Sequence, residues 1–246
     1  MKKAFTLSEV LITLAIIGIV AALTLPVIHS KYEIALSKNK FKKNMAVLNQ
    51  MGQMSRFKYG YDFTYIQMPE SNKTCASETS SDYTLCGMVN SSLNGVKYLG
   101  LEDEININSK IKRGIIKCQS TCYATNNFHY YVWQLPDGSL LGLNSKFLGN
   151  GRYGGTTIEC VLGEGETLSE TWVSNHWWCI GYIDTNGVDL PNQEVLCANK
   201  NDTKLGSTNP CELKQDLNHV TDIYPFVIHD DVVEPATNAS AYLFRN

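Results

Sequence analysis

Asp184, Asn186 and Asp189 share one short run, Asp184-Thr185-Asn186-Gly187-Val188-Asp189, and their side-chain oxygens are spaced to converge from a single tight loop. Oxygen donors of this kind suit a hard cation, with Asp222 as a distant further ligand. An Asx-type turn closed by Gly187 is the plainer reading of the same residues. An EF-hand loop is excluded, because Val195 stands twelfth from Asp184 and Glu194 falls one residue short. Nucleophilic chemistry has less to work with. His129, His176, His219 and His229 are scattered, and no G-x-S-x-G run occurs. The glycine-rich stretch 147–155 lacks the G-K-[ST] ending of a phosphate cradle and reads as a mobile loop.

The cysteines carry a different chemistry. Cys75, Cys86, Cys118, Cys122, Cys160, Cys179, Cys197 and Cys211 all lie in the second part of the chain. An even number so confined reads as disulfides made in an oxidising compartment. Pairing of neighbours is expected: Cys75 with Cys86, Cys118 with Cys122, Cys160 with Cys179, Cys197 with Cys211. Thiolate zinc is the alternative, but no pair of C-x-x-C knuckles is present. With every cysteine paired no thiol nucleophile remains, and the chain is not expected to be an enzyme. Trp172, Trp177 and Trp178 offer either core or a stacking surface.

These residues must be positioned by something, and the first element able to do so is Phe5 to Ile28, FTLSEVLITLAIIGIVAALTLPVI. It contains one charge, Glu9, and as a helix it spans about 36 Å, enough for a bilayer core of about 30 Å. An ionisable group there calls for a partner. The nearest cations are Lys2 and Lys3 in the leader and Lys31 beyond the apolar run. An ordinary secretory signal would need its small-residue cleavage site after the apolar run, and Ala21-Ala22 lies within it.

The run Phe5-Thr6-Leu7-Ser8-Glu9-Val10-Leu11 behind the basic leader Met1-Lys2-Lys3-Ala4 resembles the amino terminus of type IV pilins and type II secretion pseudopilins, as do Gly18 and Pro26 in the helix. The resemblance implies cleavage between Ala4 and Phe5 by a prepilin peptidase and methylation of the new Phe5 amine. The residue before the cut is usually Gly in that family, and here it is Ala4. Glu9 would then neutralise the amino terminus of a neighbouring subunit inside a filament, with Gly18 and Pro26 loosening the helix on assembly. The implied partners are other pilin-like subunits, the peptidase, an inner-membrane assembly platform and membrane lipid. The implied location is the inner membrane, single-pass, with the carboxyl-terminal domain outside the cytoplasm. Asp184-Thr-Asn-Gly with Pro191-Asn192, and the segment from Asp222 to Phe226, also resemble a pseudopilin loop that in some members collects calcium. Calcium is the one cofactor this suggests.

Loss of Lys2 and Lys3 takes the formal charge from -3 to -5, which argues against a nucleic-acid surface. Lys31, Lys38, Lys40, Lys42 and Lys43 outnumber the leader lysines, so a bare positive-inside count would hold the domain in the cytoplasm. Long domains translocate largely regardless of charge, and the cysteines favour export. The lysine cluster itself reads as a solvated helix face. Past Pro26, which should kink or loosen the helix, Ile34, Phe41, Met45, Leu48 and Met51 form one apolar stripe, with Lys38, Lys42 and Asn49 on other faces. The helix should end near residue 58.

Residues 61–110 do not declare helix or strand. Further on, 128–135 and 139–143 flank Asp137-Gly138 as a hairpin whose turn takes positive φ from that pair. Runs 156–162 and 177–184 read as further strands of an antiparallel sheet of four or five. The expected fold is α+β and pilin-like, with a long amino-terminal helix packed on an antiparallel sheet and disulfide-tied loops. The expected division is 1–4 leader, 5–28 membrane or filament-core helix, 29–58 its amphipathic half, and 59–246 the globular domain. A tip adhesin for a surface, glycan or DNA, and a tethered domain without a filament role, are the alternatives.

Overall fold

The computed structural model describes residues 6–67, 75–101, 130–144, 157–176, 179–187, 194–203, 205, 207, 209–214 and 221–245. The first helix, α1, is Leu7–Tyr59, 53 residues and about 80 Å long at 1.5 Å per residue. It starts where Thr6, in extended conformation, accepts from the Glu9 amide while the Glu9 side chain reaches back to Thr6. It stops at Gly60, whose φ of 79° suits glycine and whose N–H donates to Arg56 O at 3.2 Å. The helix runs through Pro26 without a break.

Phe41, Met45, Leu48 and Met51 are buried along the inner half of α1, as the stripe requires, while Ile34 is half-buried. Ser37 and Asn44 also face inward, and so does part of Asn49. Asn49, set beside the apolar stripe rather than on it, has a partner of its own: its amide spans both backbone groups of Val233 on the last strand, with N···O distances of 2.8 Å each. The lysine cluster likewise does more than face solvent. Lys40 donates to Thr185 O at 2.9 Å, and Lys43 lies 3.9 Å from Asp137.

Among the described residues eight strands follow: β1 Tyr65–Gln67, β2 Lys97–Leu101, β3 Tyr130–Gln134, β4 Leu140–Asn144, β5 Thr157–Glu159, β6 Ile180–Asp184, β7 Ile223–His229 and β8 Val232–Pro235. The further α-helices among those residues are α2 Leu85–Ser92, α3 Glu170–Asn175 and α4 Asn238–Arg245. The main sheet is antiparallel, in the order β2-β3-β4-β6-β7-β8, which is six strands rather than four or five. The added strands are β2, from the stretch that declares neither helix nor strand, and β7 and β8 from 223–235, where Pro225 inside β7 masks the strand signal. The expected strand at 156–162 shortens to β5 and leaves the main sheet, pairing instead with β1.

The β3–β4 hairpin forms, but its turn is longer than an Asp-Gly pair. Gly138 N–H donates to Leu135 O at 2.9 Å and Leu135 N–H to Ser139 O at 2.8 Å, with positive φ only at Gly138. That is a three-residue loop with one left-handed glycine, the next commonest hairpin connection. Trp133, Leu141, Ile183 and Tyr224 follow one another across the sheet on the face that meets α1, where Phe41 stacks on Tyr224 at 4.6 Å. On the other face the Tyr182 ring lies over Gly142, where a Cβ would come within 2.1 Å of it. Disulfides join Cys75–Cys86, Cys160–Cys179 and Cys197–Cys211, each closing a loop of modest length. Cys118 and Cys122, like Trp177, Trp178, His129 and His219, lie outside the described residues.

Candidate functional site

The amino-terminal half of α1 has no core of its own to join. Between Leu7 and Ile28 the large aliphatic side chains other than the half-buried Val27 are 43–78% exposed, and Gly18 has no neighbouring atom within 4 Å of where a Cβ would stand. The most apolar window of the helix has a mean hydropathy of 2.7 and none of it is buried in the domain. By length and composition this helix suffices to cross a membrane. The processing residues Ala4 and Phe5 lie outside the described residues.

Glu9 has local partners that are not cations. Thr6 N–H and the Thr6 hydroxyl both donate to Glu9 Oε2 at 2.8 Å, and Glu9 N–H donates to Thr6 Oγ1 at 3.3 Å. The signal was present in the sequence as Thr6-x-x-Glu9, a capping-box pattern. The partners are neutral donors at the positive end of the helix dipole, so they orient the carboxylate without cancelling its charge.

A second polar centre joins α1 to the sheet. The Ser37 hydroxyl sits among Thr185 Oγ1, Tyr224 OH at 2.7 Å and Thr221 O at 3.1 Å. Tyr224 OH also donates to Thr221 O at 2.9 Å, and Thr185 N–H to Asp222 O at 2.8 Å. Burial holds the Tyr224 phenol well above its ordinary range, at about 12. The end of β6 and the start of β7 are thereby fixed against the helix.

The candidate cation ligands are distributed over those same strand ends. Asp184 closes β6 and Asp222 precedes β7, and both are 1% exposed. Asn186 Nδ2 donates to Asp222 Oδ2 at 2.6 Å, and the Asn186 N–H donates to Asp184 Oδ1 at 3.3 Å. Asp184 Oδ2 and Asn186 Oδ1 are buried without a hydrogen-bond partner among the described residues. Burial, reinforced by the charge of Asp222, pushes the Asp184 carboxyl up to about 8. The structure thus brings Asp184, Asn186 and Asp222 together, and Gly187 closes the turn with a φ of 76°. Asp189 lies outside the described residues. The donor set is all oxygen and fits a hard cation, although no cluster of three or more acidic, histidine or cysteine side chains able to hold a metal occurs among the described residues.

Two other polar groups were not singled out by the sequence. Glu194 is half-buried as a residue, but the burial of its carboxyl raises that group to about 8, and its Oε2 has no partner among the described residues. His229 is wedged between Asp230 Oδ2 at 2.9 Å and Glu234 Oε2 at 3.3 Å. Burial alone would lower its pKa, but the hydrogen bonds and charges of Glu234 and Asp230 outweigh that and raise it. Trp172 is 6% exposed, stacked on His176 at 4.2 Å with its ring N–H donating to Val161 O. It belongs to the core and offers no stacking surface.

Residues 1–25 match the family model of the prokaryotic N-terminal methylation motif, the signature of type IV pilin and pseudopilin precursors. No curated protein and no solved structure matches the chain.

Proposed function

We propose that this chain is a structural subunit of a type IV pilus or type II secretion-like filament, cut before Phe5 and assembled through α1. The methylation motif supports a pilin-like precursor processed by prepilin peptidase and associating with other pilin subunits. The observation that carries the filament role is the bare apolar half of α1 standing clear of the domain. At about 1.5–3 kcal/mol per fully buried aliphatic side chain, such a run must be covered either by lipid or by neighbouring helices. The lipid-covered state is the inner-membrane precursor, and the helix-covered state is the filament, where contacts repeat without closing. The disulfides support a domain outside the cytoplasm. In the filament, Glu9 pairs with the Phe5 amine of a neighbouring subunit. Intact mass and amino-terminal sequencing of the membrane-extracted protein test this: a chain starting at Phe5, with or without one added methyl, is expected. A chain starting at Met1, or cut beyond residue 20, would overturn it.

A hard divalent cation, calcium, is the ligand proposed for Asp184, Asn186 and Asp222. The reading rests on the two orphaned oxygens of Asp184 and Asn186. These residues would hold the ion, which when bound supplies positive charge that keeps Asp184 ionised. Calcium should raise the melting temperature of wild type and leave Asp222→Asn unmoved; an equal shift in both would refute the assignment.

A further inference from the structure

Past the end of α1 the chain folds back to form an open cleft of about 450 Å³. That lies inside the range of about 300–1,000 Å³ seen for small-molecule clefts. Three tyrosines, Tyr61, Tyr65 and Tyr83, line it together with Arg56, Asp62 and Gln67. We propose that this cavity binds a neutral saccharide.

The aromatic walls are held in place rather than merely nearby. Tyr61 and Tyr83 meet with ring centroids 5.2 Å apart and planes tilted by 60°, forming a corner. Tyr61 is buried and its hydroxyl faces Thr84 O at 3.5 Å. On β1 the alternation exposes Tyr65 and Gln67 on one side and buries Ile66 on the other. Gln67 N–H donates to Tyr83 O at 2.8 Å, so two of the walls are tied through the backbone.

Tyr83 caps the one-turn 3-10 helix Ser80–Asp82, its N–H donating to Ser80 O at 3.5 Å, and that role sets its φ of 54°. Its ring, 46% exposed, lines the cavity.

The polar rim selects the ligand class. Arg56 lies 3.2 Å from Asp231 and 3.7 Å from Asp62, so its charge is balanced and the cavity is no anion trap. A guanidinium donates, a carboxylate accepts, and the Gln67 amide does both. That mixture matches vicinal hydroxyls, which donate and accept at adjacent positions, while tyrosine faces cover the apolar C–H side of a pyranose ring. The inference does not depend on the filament role proposed above.

The test is saturation-transfer NMR on the full chain in a detergent without a sugar headgroup, with maltotriose, cellotriose, chitotriose and mannotriose as probes. Transfer to the ring C–H protons of at least one trisaccharide is expected, with binding weakened ten-fold or more in Tyr65→Ala and in Tyr83→Gly. Glycine suits the backbone at position 83 but gives up the ring contact with Tyr61, so both variants are melted beside the binding assay, and the weakening must appear in a variant that is still folded at the assay temperature. Absence of transfer to all four probes, retention of binding in both variants, or preference for an anionic saccharide such as sialyllactose would overturn the proposal.

Discussion

Asn49→Ala isolates how the helix is fastened to the last strand of the sheet. In the folded chain Asn49 Nδ2 donates to Val233 O and Asn49 Oδ1 accepts from Val233 N–H, both at 2.8 Å, and Val233 is 2% exposed. Strand β8 is an edge, and the amide of Asn49 stands where another strand would pair. Truncation to alanine leaves one backbone donor and one acceptor without their partner. Each orphaned group costs about 1–3 kcal/mol when fully buried; because Asn49 is itself partly exposed and water can reach the gap, the sum should be about 2–4 kcal/mol. For a domain of this size about 2–4 °C is lost per kcal/mol, so the melting temperature should drop by roughly 5–15 °C. Asn49→Asp should fall at least as far at neutral pH, since a carboxylate would face the Val233 carbonyl with no donor. Thermal melts of the detergent-solubilised chain and amide exchange at Val233 are the assays. A melting temperature within about 1 °C of wild type, with the Val233 amide still protected, would refute the reasoning.

Glu9→Gln keeps both halves of the capping box but removes the charge, whereas Glu9→Ala removes both. Filament yield should fall in both; wild-type yield with glutamine would show that Glu9 acts only as a cap. His229 has a folded pKa raised above its unfolded value, so its stabilising contribution is complete below about pH 6.5 and is lost as pH rises through the folded pKa. Wild type should therefore lose more melting temperature than His229→Gln between pH 6 and pH 9, and equal slopes would exclude the Asp230–His229–Glu234 arrangement as a source. Gly142→Ala places a methyl 2.1 Å from the Tyr182 ring and should cost at least about 1–3 kcal/mol, read by chemical denaturation. Reduction of Cys160–Cys179 and Cys197–Cys211, whose partners are 19 and 14 residues apart, should remove about 3 kcal/mol for each bridge, measured as the fall in denaturation midpoint with and without reductant.

What the sequence determined by itself is whatever depends on near neighbours. The length and apolarity of α1, its stop at Gly60, the inward stripe of Phe41, Met45 and Leu48, and the β3–β4 hairpin all follow from spacings of a few residues. The Thr6-x-x-Glu9 cap is equally local, a spacing of three residues that pairs Glu9 with neutral donors rather than with a cation. The tertiary structure decided the contacts whose partners are remote. Asn49 meets Val233 across 184 residues and Ser37 meets Thr185 across 148, and no periodicity in either segment announces the other. Asp184 and Asp222 are neighbours only because β6 and β7 pair in antiparallel register, with Asp184 opposite Ile223. The pairing of β5 with β1, which helps expose Tyr65 and Gln67, is likewise a choice of topology, because a three-residue strand carries too little pattern to select its sheet. Local sequence sets which elements form, since helix and turn interactions reach no further than about four residues. Which polar groups then face one another is settled by burial, because a donor or acceptor removed from water must find whatever partner the packed topology supplies.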